Sequence, residues 1–156
     1  MLDNLRILQA NLNHNQLATE SALQLAVELA IDLVVVQEPW IISPGKDDFT
    51  DCRSVNHSAF SQLLPQHVPT SLRPRVMFYV SRYLDARLNC ITDPNQDPYM
   101  QIVKVQSKSF NFTIFNVYNE DDRQGSSKRT IERALLPLSL REPTLLLGDF
   151  NLHHHW

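Results

Sequence analysis

The stretch "DLVVVQEPW", residues 32 to 40, constrains the fold more than any other part of the chain. Four apolar residues, three of them β-branched, run between Asp32 and Pro39. A strand of this kind is apolar on both faces and must be covered on both. Upstream, residues 5 to 10, "LRILQA", read as another buried strand. Between the two strands, over residues 16 to 30, Ala18, Ala22, Leu25 and Leu29 recur at spacings of four, three and four. That spacing predicts one helical face, expected to lie on the sheet. Strand, helix and strand within about 35 residues form a crossover unit, which joins parallel strands.

The remaining chain adds more strands than helices. Residues 41 to 74 are rich in proline and polar residues without a clean period, which predicts a long loop with short pieces of structure. Strands are expected at 75 to 81, 86 to 91, 99 to 105 and 110 to 118. The last two alternate polar and apolar residues in places, suiting an antiparallel pair with one wetter face and therefore a mixed sheet. After the acidic "NEDDRQGSS", Ser126 or Ser127 can cap a helix that carries Ile131, Leu135 and Leu138 on one side and ends near Leu140. "PTLLLGDFN" then reads as a buried strand with polar residues at its C-terminal end.

A chain of 156 residues with 43% hydrophobic content suits one domain with a packed core, spanning residues 1–156. The net charge of −3 gives no overall basic footprint for nucleic acid, so such contact must be local or bridged by a cation. No apolar run approaches a membrane span of about 18 residues, and the chain reads as intracellular with no membrane partner. Cys52 and Cys90 lack metal-like spacing and are expected as free thiols.

Several strand ends deliver polar residues from an apolar run: Asn11 and Asn13 in "QANLN", Gln37 and Glu38 in "VVVQEP", Asp149 and Asn151 in "LLLGDFN". "IFNVYNED" adds Asn116, Tyr118 and Asn119. Side by side in one sheet, these residues would converge on one rim. Carboxylates with amides suit a hard cation such as Mg²⁺, which takes oxygen ligands and leaves room for water and phosphate. The consecutive His153, His154 and His155 do not share one direction in a strand or a helix, so they do not form a zinc site by themselves. A calcineurin-like metallophosphoesterase requires Asp-x-His at its first strand, where this chain has "QANLN". Arg73 and Arg75 suit either a phosphate backbone or an ordinary surface.

Taken in order, "QANLN", "VVVQEPW", "NVYNED" and "LLLGDFNLHHHW" resemble the motifs of the endonuclease/exonuclease/phosphatase superfamily. "ILQANLNHN", "RPRVMFYVS" and "GDFNLHHHW" are most similar to the endonuclease domain of LINE-type, non-LTR retrotransposon polyproteins, especially fungal ones. The resemblance implies an α/β fold of the DNase I-like kind: a two-sheet, four-layer α-β-β-α sandwich with mixed sheets, both helices belonging to the first sheet. It further implies Mg²⁺-dependent phosphodiester cleavage, with Mn²⁺ as a substitute, nicking target DNA in the nucleus. Glu38 and Asn11 would hold the metal, Asp149, Asn151 and Tyr118 would be catalytic, and Asn13, Asn116 and Asn119 would line the substrate. The family's closing Asp–His motif has no counterpart before Trp156. The chain is therefore expected to be C-terminally truncated, with an unfinished second sheet through which it could self-associate. The alternative is an inactive retrotransposon remnant that keeps the fold.

Overall fold

The computed structural model describes residues 4–46, 48–65, 72–91, 97–120, 129–140 and 142–151. The crossover unit is present. β1 (Ile7–Asn11) and β2 (Leu33–Gln37) are parallel, joined by α1 (Gln16–Glu28), and Asn11 lies opposite Gln37. All five residues of β2 are buried, as its apolar run requires. Val34 and Val36 pack under α1 with Leu23 and Ala26, while Leu33 and Val35 pack against Val103, Val105 and Ile114 of a second sheet.

β2 is central because β4 (Val76–Ser81) pairs antiparallel on its other edge, with β3 (Phe60–Leu63) beyond it, giving the order β1-β2-β4-β3. The second sheet has the order β5-β6-β7-β8, built from β5 (Arg87–Ile91), β6 (Met100–Gln106), β7 (Asn111–Tyr118) and β8 (Thr144–Asp149). Its first three strands are antiparallel and β7 and β8 are parallel, so both sheets are mixed. Between β7 and β8 a π-helical turn, Ile131–Leu135, lays Ile131, Ala134, Leu135 and, just beyond it, Leu138 on Met100, Ile102, Phe115 and Val117. The three apolar clusters are thus helix on sheet, sheet on sheet, and sheet on helical turn. Their sequence is the four-layered α-β-β-α sandwich.

Three local expectations are corrected. The first concerns the buried face of α1: Ala18 and Ala22 do pack on the core, but its centre is Thr19, Leu23 and Ala26, while Leu25 and Leu29 are 44% and 50% exposed. A polar threonine can be buried here because its hydroxyl donates to the Asn15 carbonyl at 2.8 Å, leaving no orphan group. The second concerns β6 and β7, which do pair antiparallel but have no wet face along most of their length: Gln101, Thr113 and Asn116 are all buried. The third concerns the helices, which cover one sheet each instead of both serving the first. Ser126 and Ser127, the expected caps, lie outside the described residues, as do His153 to Trp156.

α1 starts where the Asn15 side chain accepts a hydrogen bond from the Ala18 N–H at 3.0 Å, satisfying one of the donors a helix start leaves free. It stops at Ala30, whose φ of 51° reverses the chain while Ile31 N–H bonds to Ala26. Asn15→Ala is expected to lower stability by about 1 kcal/mol, read as the shift in a urea unfolding midpoint. Cys52 and Cys90 are free and half-buried, and among the described residues no helix is long and apolar enough to cross a membrane.

Candidate active site

Side chains of a strand alternate between faces, so the inter-sheet face of β1 carries Ile7, Gln9 and Asn11, and that of β2 carries Leu33, Val35 and Gln37. On β7 the same face carries Ile114, Asn116 and Tyr118, and on β8 it carries Leu147 and Asp149. Along each strand the inter-sheet layer therefore turns from apolar to polar toward one end. Its polar residues meet there as a single rim. The convergence joins strand ends from both sheets across the sandwich and not, as the sequence suggests, within one sheet.

The contacts across the rim are direct. Asn11 Nδ2 donates to Asp149 Oδ2 at 2.7 Å, and Gln9 Nε2 donates to the Gly148 carbonyl at 2.8 Å. Asn11 Oδ1 accepts from the Asn13 N–H at 2.9 Å, a local turn that carries the chain into two consecutive left-handed residues, Asn13 (φ 46°) and His14 (φ 54°). Asn13 is exposed beside this turn. Asp149 Oδ1 accepts from the Asn151 N–H at 3.2 Å, and Asn151 itself has φ 44°. Its side chain donates to the Asn119 carbonyl at 2.6 Å.

Glu38 also lies in the left-handed region, at φ 48°, where a residue bearing a Cβ is disfavoured. Its N–H donates to the Arg75 carbonyl and its carbonyl accepts from the His14 N–H, both at 2.8 Å. These bonds hold the strained turn. The Glu38 carboxylate is 16% exposed and pairs through Oε1 with Arg75 Nη1 at 3.2 Å, and His14 Nε2 lies 3.5 Å from the same oxygen. His14 Nδ1 lies 3.1 Å from the Pro39 carbonyl, which only accepts, so Nδ1 carries the proton and Nε2 accepts from Arg75 at 2.6 Å. Burial, aided by the charges of Arg73 and Arg75, lowers the His14 pKa below its ordinary value and favours this neutral form.

Tyr118 stands between the two carboxylates, with the Arg75 guanidinium 5.5 Å from its ring centroid and Tyr99 packed edge-on. Burial, then the charge of Glu38, pushes the phenol up to about 12. It is a neutral donor throughout the physiological range. Alkaline titration of tyrosinate absorbance should show one of the four tyrosines ionising near 12, a component absent from Tyr118→Phe. The folded value lies above the ordinary 10, so the stability tied to this proton is complete below pH 10 and declines as pH rises toward about 12.

Asn116 and Asn119 do not line a substrate surface. Asn116 is fully buried: its Oδ1 accepts from Gln37 Nε2 at 2.7 Å and its Nδ2 donates to the Val36 and Met77 carbonyls, both at 3.0 Å. Asn119 is 1% exposed, with Nδ2 on the Phe150 carbonyl at 2.8 Å and Oδ1 accepting from Ile131 N–H at 3.2 Å. Both fix the rim from beneath. The group that sequence reasoning left open is Arg75, at the start of β4, brought beside Glu38 because Val76 pairs with Gln37.

A hard cation fits this donor set. Among the described residues no three His, Cys, Asp or Glu groups gather as a metal cluster. What the rim offers is two carboxylates and amide oxygens, the sparse oxygen set that Mg²⁺ accepts when water and phosphate complete its shell.

The two-sheet sandwich with a polar rim defines the class: this is the DNase I-like α/β fold. No family model and no curated protein sequence matches the chain. Among solved structures it is similar in fold to the endonuclease domain of TRAS1, a telomere-specific non-LTR retrotransposon, with a TM-score of 0.65 and 17% identity over 97% of this chain and 61% of that one. It is also similar to a humanized D. rerio TDP2 (TM-score 0.58, 14% identity, 96% of this chain and 63% of that one). A third similar structure is an endonuclease/exonuclease/phosphatase family protein from Leptotrichia buccalis (0.58, 14%, 95% and 67%). The chain thus spans about three fifths of the length of the first two.

Proposed function

We propose that this chain is a phosphodiester-cleaving domain of the endonuclease/exonuclease/phosphatase superfamily that nicks DNA with a divalent cation, derived from a non-LTR retrotransposon and acting in the nucleus. The observation that carries the reading is the rim itself. Asn11, Glu38, Tyr118, Asp149 and Asn151 come from four strand ends of two sheets, and Asn11 touches Asp149 at 2.7 Å across 138 residues of sequence. Left-handed backbone at Glu38 and Asn151 adds to it, since strain of this kind persists only where the surroundings enforce it and collects at functional sites. Fold likeness to the TRAS1 endonuclease domain supports DNA as the substrate class.

In this reading Glu38 and the Asn11 amide oxygen would hold Mg²⁺, which when bound would neutralise phosphate charge and polarise the scissile bond. Asp149 orients the attacking water and accepts its proton, and the Asn11 N–H keeps that carboxylate aimed. One N–H of Asn151 is spent on Asn119, and the other remains for a phosphate oxygen. The Tyr118 phenol, protonated far above neutral pH, donates to the same charge.

The test is conversion of supercoiled plasmid to nicked circle with Mg²⁺ by the unaltered chain, Glu38→Ala and Asp149→Ala, all shown to be folded. Each substitution should slow nicking by at least about 100-fold, the usual scale for removing a general base or a charge-stabilising group. Equal nicking by all three, or none by any, ends the reading.

A further inference from the structure

The Arg75 guanidinium has five N–H donors in a planar fork, and its recorded bonds run through one nitrogen. Nη1 serves both Glu38 Oε1 at 3.2 Å and His14 Nε2 at 2.6 Å, while Nε and Nη2 have no partner among the described residues. They are not sealed in either: the side chain keeps 25% of its surface open, and neither nitrogen is among the buried polar atoms that lack a partner. The free edge of the fork is therefore presented to solvent at the rim.

The surroundings hold that edge without neutralising it. His14 accepts as an uncharged imidazole, and the Tyr118 ring lies under the plane at 5.5 Å. The backbone carbonyl of Arg75 anchors the Glu38 turn. Arg73 stands close enough for its charge, with that of Arg75, to act on His14. Glu38 is the carboxylate that pairs with Arg75, and it does so through Nη1 alone. A planar fork with two free N–H vectors matches two oxygens of one phosphate better than it matches any single acceptor.

We propose that Arg75 is a substrate-binding residue that receives a backbone phosphate of DNA in its Nε/Nη2 edge, with Glu38 as the internal anion that occupies its Nη1 side until DNA arrives. This inference rests on the reading of the rim as a DNA-cleaving site. It adds a specific consequence: the Glu38 carboxylate, by offsetting the charge of this guanidinium, weakens metal-free DNA binding.

The test is binding of a short labelled DNA duplex, followed by fluorescence anisotropy in EDTA across a salt series, so that neither metal nor cleavage enters. Arg75→Gln, which removes the charge and keeps an amide, should lower the slope of log affinity against log salt by about one phosphate contact. Arg75→Lys should keep the slope but bind roughly 3- to 10-fold more weakly, because a point charge lacks the fork. Glu38→Gln should tighten metal-free binding, and the gain should vanish in Glu38→Gln/Arg75→Gln. Thermal unfolding of each variant identifies misfolding, and Arg75→Lys alone decides the case if the glutamine variant does not fold: stronger or unaltered binding overturns the inference. An unaltered salt slope in folded Arg75→Gln, or a Glu38→Gln gain that survives the second substitution, also overturns it. A chain that nicks plasmid through Asp149 yet shows either result loses only this inference. One that neither binds duplex nor nicks plasmid loses the functional reading and this inference together.

Discussion

Gly148→Ala is expected to unfold the chain or leave it on the edge of unfolding. A Cβ at this position would sit 2.1 Å from the Val117 carbonyl oxygen and 2.9 Å from its carbon, distances that no real Cβ tolerates. The obstacle is the backbone of the neighbouring strand, which cannot swing aside as a long side chain could. Gly148 and Val117 are paired in the parallel β7–β8 ladder, and the next pair is Tyr118 with Asp149. Relief therefore requires β8 to move off β7 where the rim is built, and the Gln9 bond to the Gly148 carbonyl goes with it. We expect a loss above about 4 kcal/mol, within reach of the entire stability of an ordinary domain. A urea unfolding curve within about 1 kcal/mol of the unaltered chain would show that the strands are not in this register.

The second large effect is expected at Asn116. Asn116→Asp preserves shape almost atom for atom but removes both N–H donors and points a carboxylate at the Val36 and Met77 carbonyls. The site is fully buried, so the charge would be shut off from solvent. The amide spans the gap between sheets, from β7 to both β2 and β4, so the loss falls on the docking of one sheet on the other. A drop of about 4 kcal/mol or more is expected, larger than for Asn116→Ala, which leaves Gln37 without its acceptor but introduces no charge. Equal effects of the two substitutions in chemical denaturation would mean that volume, and not hydrogen bonding, matters at this point.

The legible parts of the fold were those where one physical demand governs a whole segment. "LVVV" must be covered on both faces, and the structure covers it with α1 and with the second sheet. The helix face was read one residue off because α1 offers two adjacent stripes, and Ala18 and Ala22 border the buried one. The stripe actually used contains a threonine whose hydroxyl is satisfied inside the helix. β3 has four residues and lies at a sheet edge, too short to show a period within a proline-rich stretch. Alternation in β6 and β7 suggested a solvent face, whereas Gln101 and Asn116 belong to the inter-sheet layer and reach the first sheet. That same ambiguity misplaced Asn116 and Asn119: amides at strand ends look alike whether they face a ligand or brace the strands beneath it. For Arg75 the sequence leaves a phosphate contact and an ordinary surface position equally open, because the β2–β4 pairing that sets it beside Glu38 is not legible there.

The rim also has a temporal consequence. Its two halves lie near opposite ends of the described chain: the bonds from Asn11 to Asp149 and from Gln9 to Gly148 span 138 and 139 positions. A crossover such as β1-α1-β2 closes a short loop and can form early, whereas contacts of such long range close late. During synthesis, β1 and β2 can be paired on the ribosome while β8, their partner across the rim, is still untranslated. The rim stays incomplete in the nascent chain until β8 docks, and in refolding the Asn11–Asp149 contact would be among the last to form.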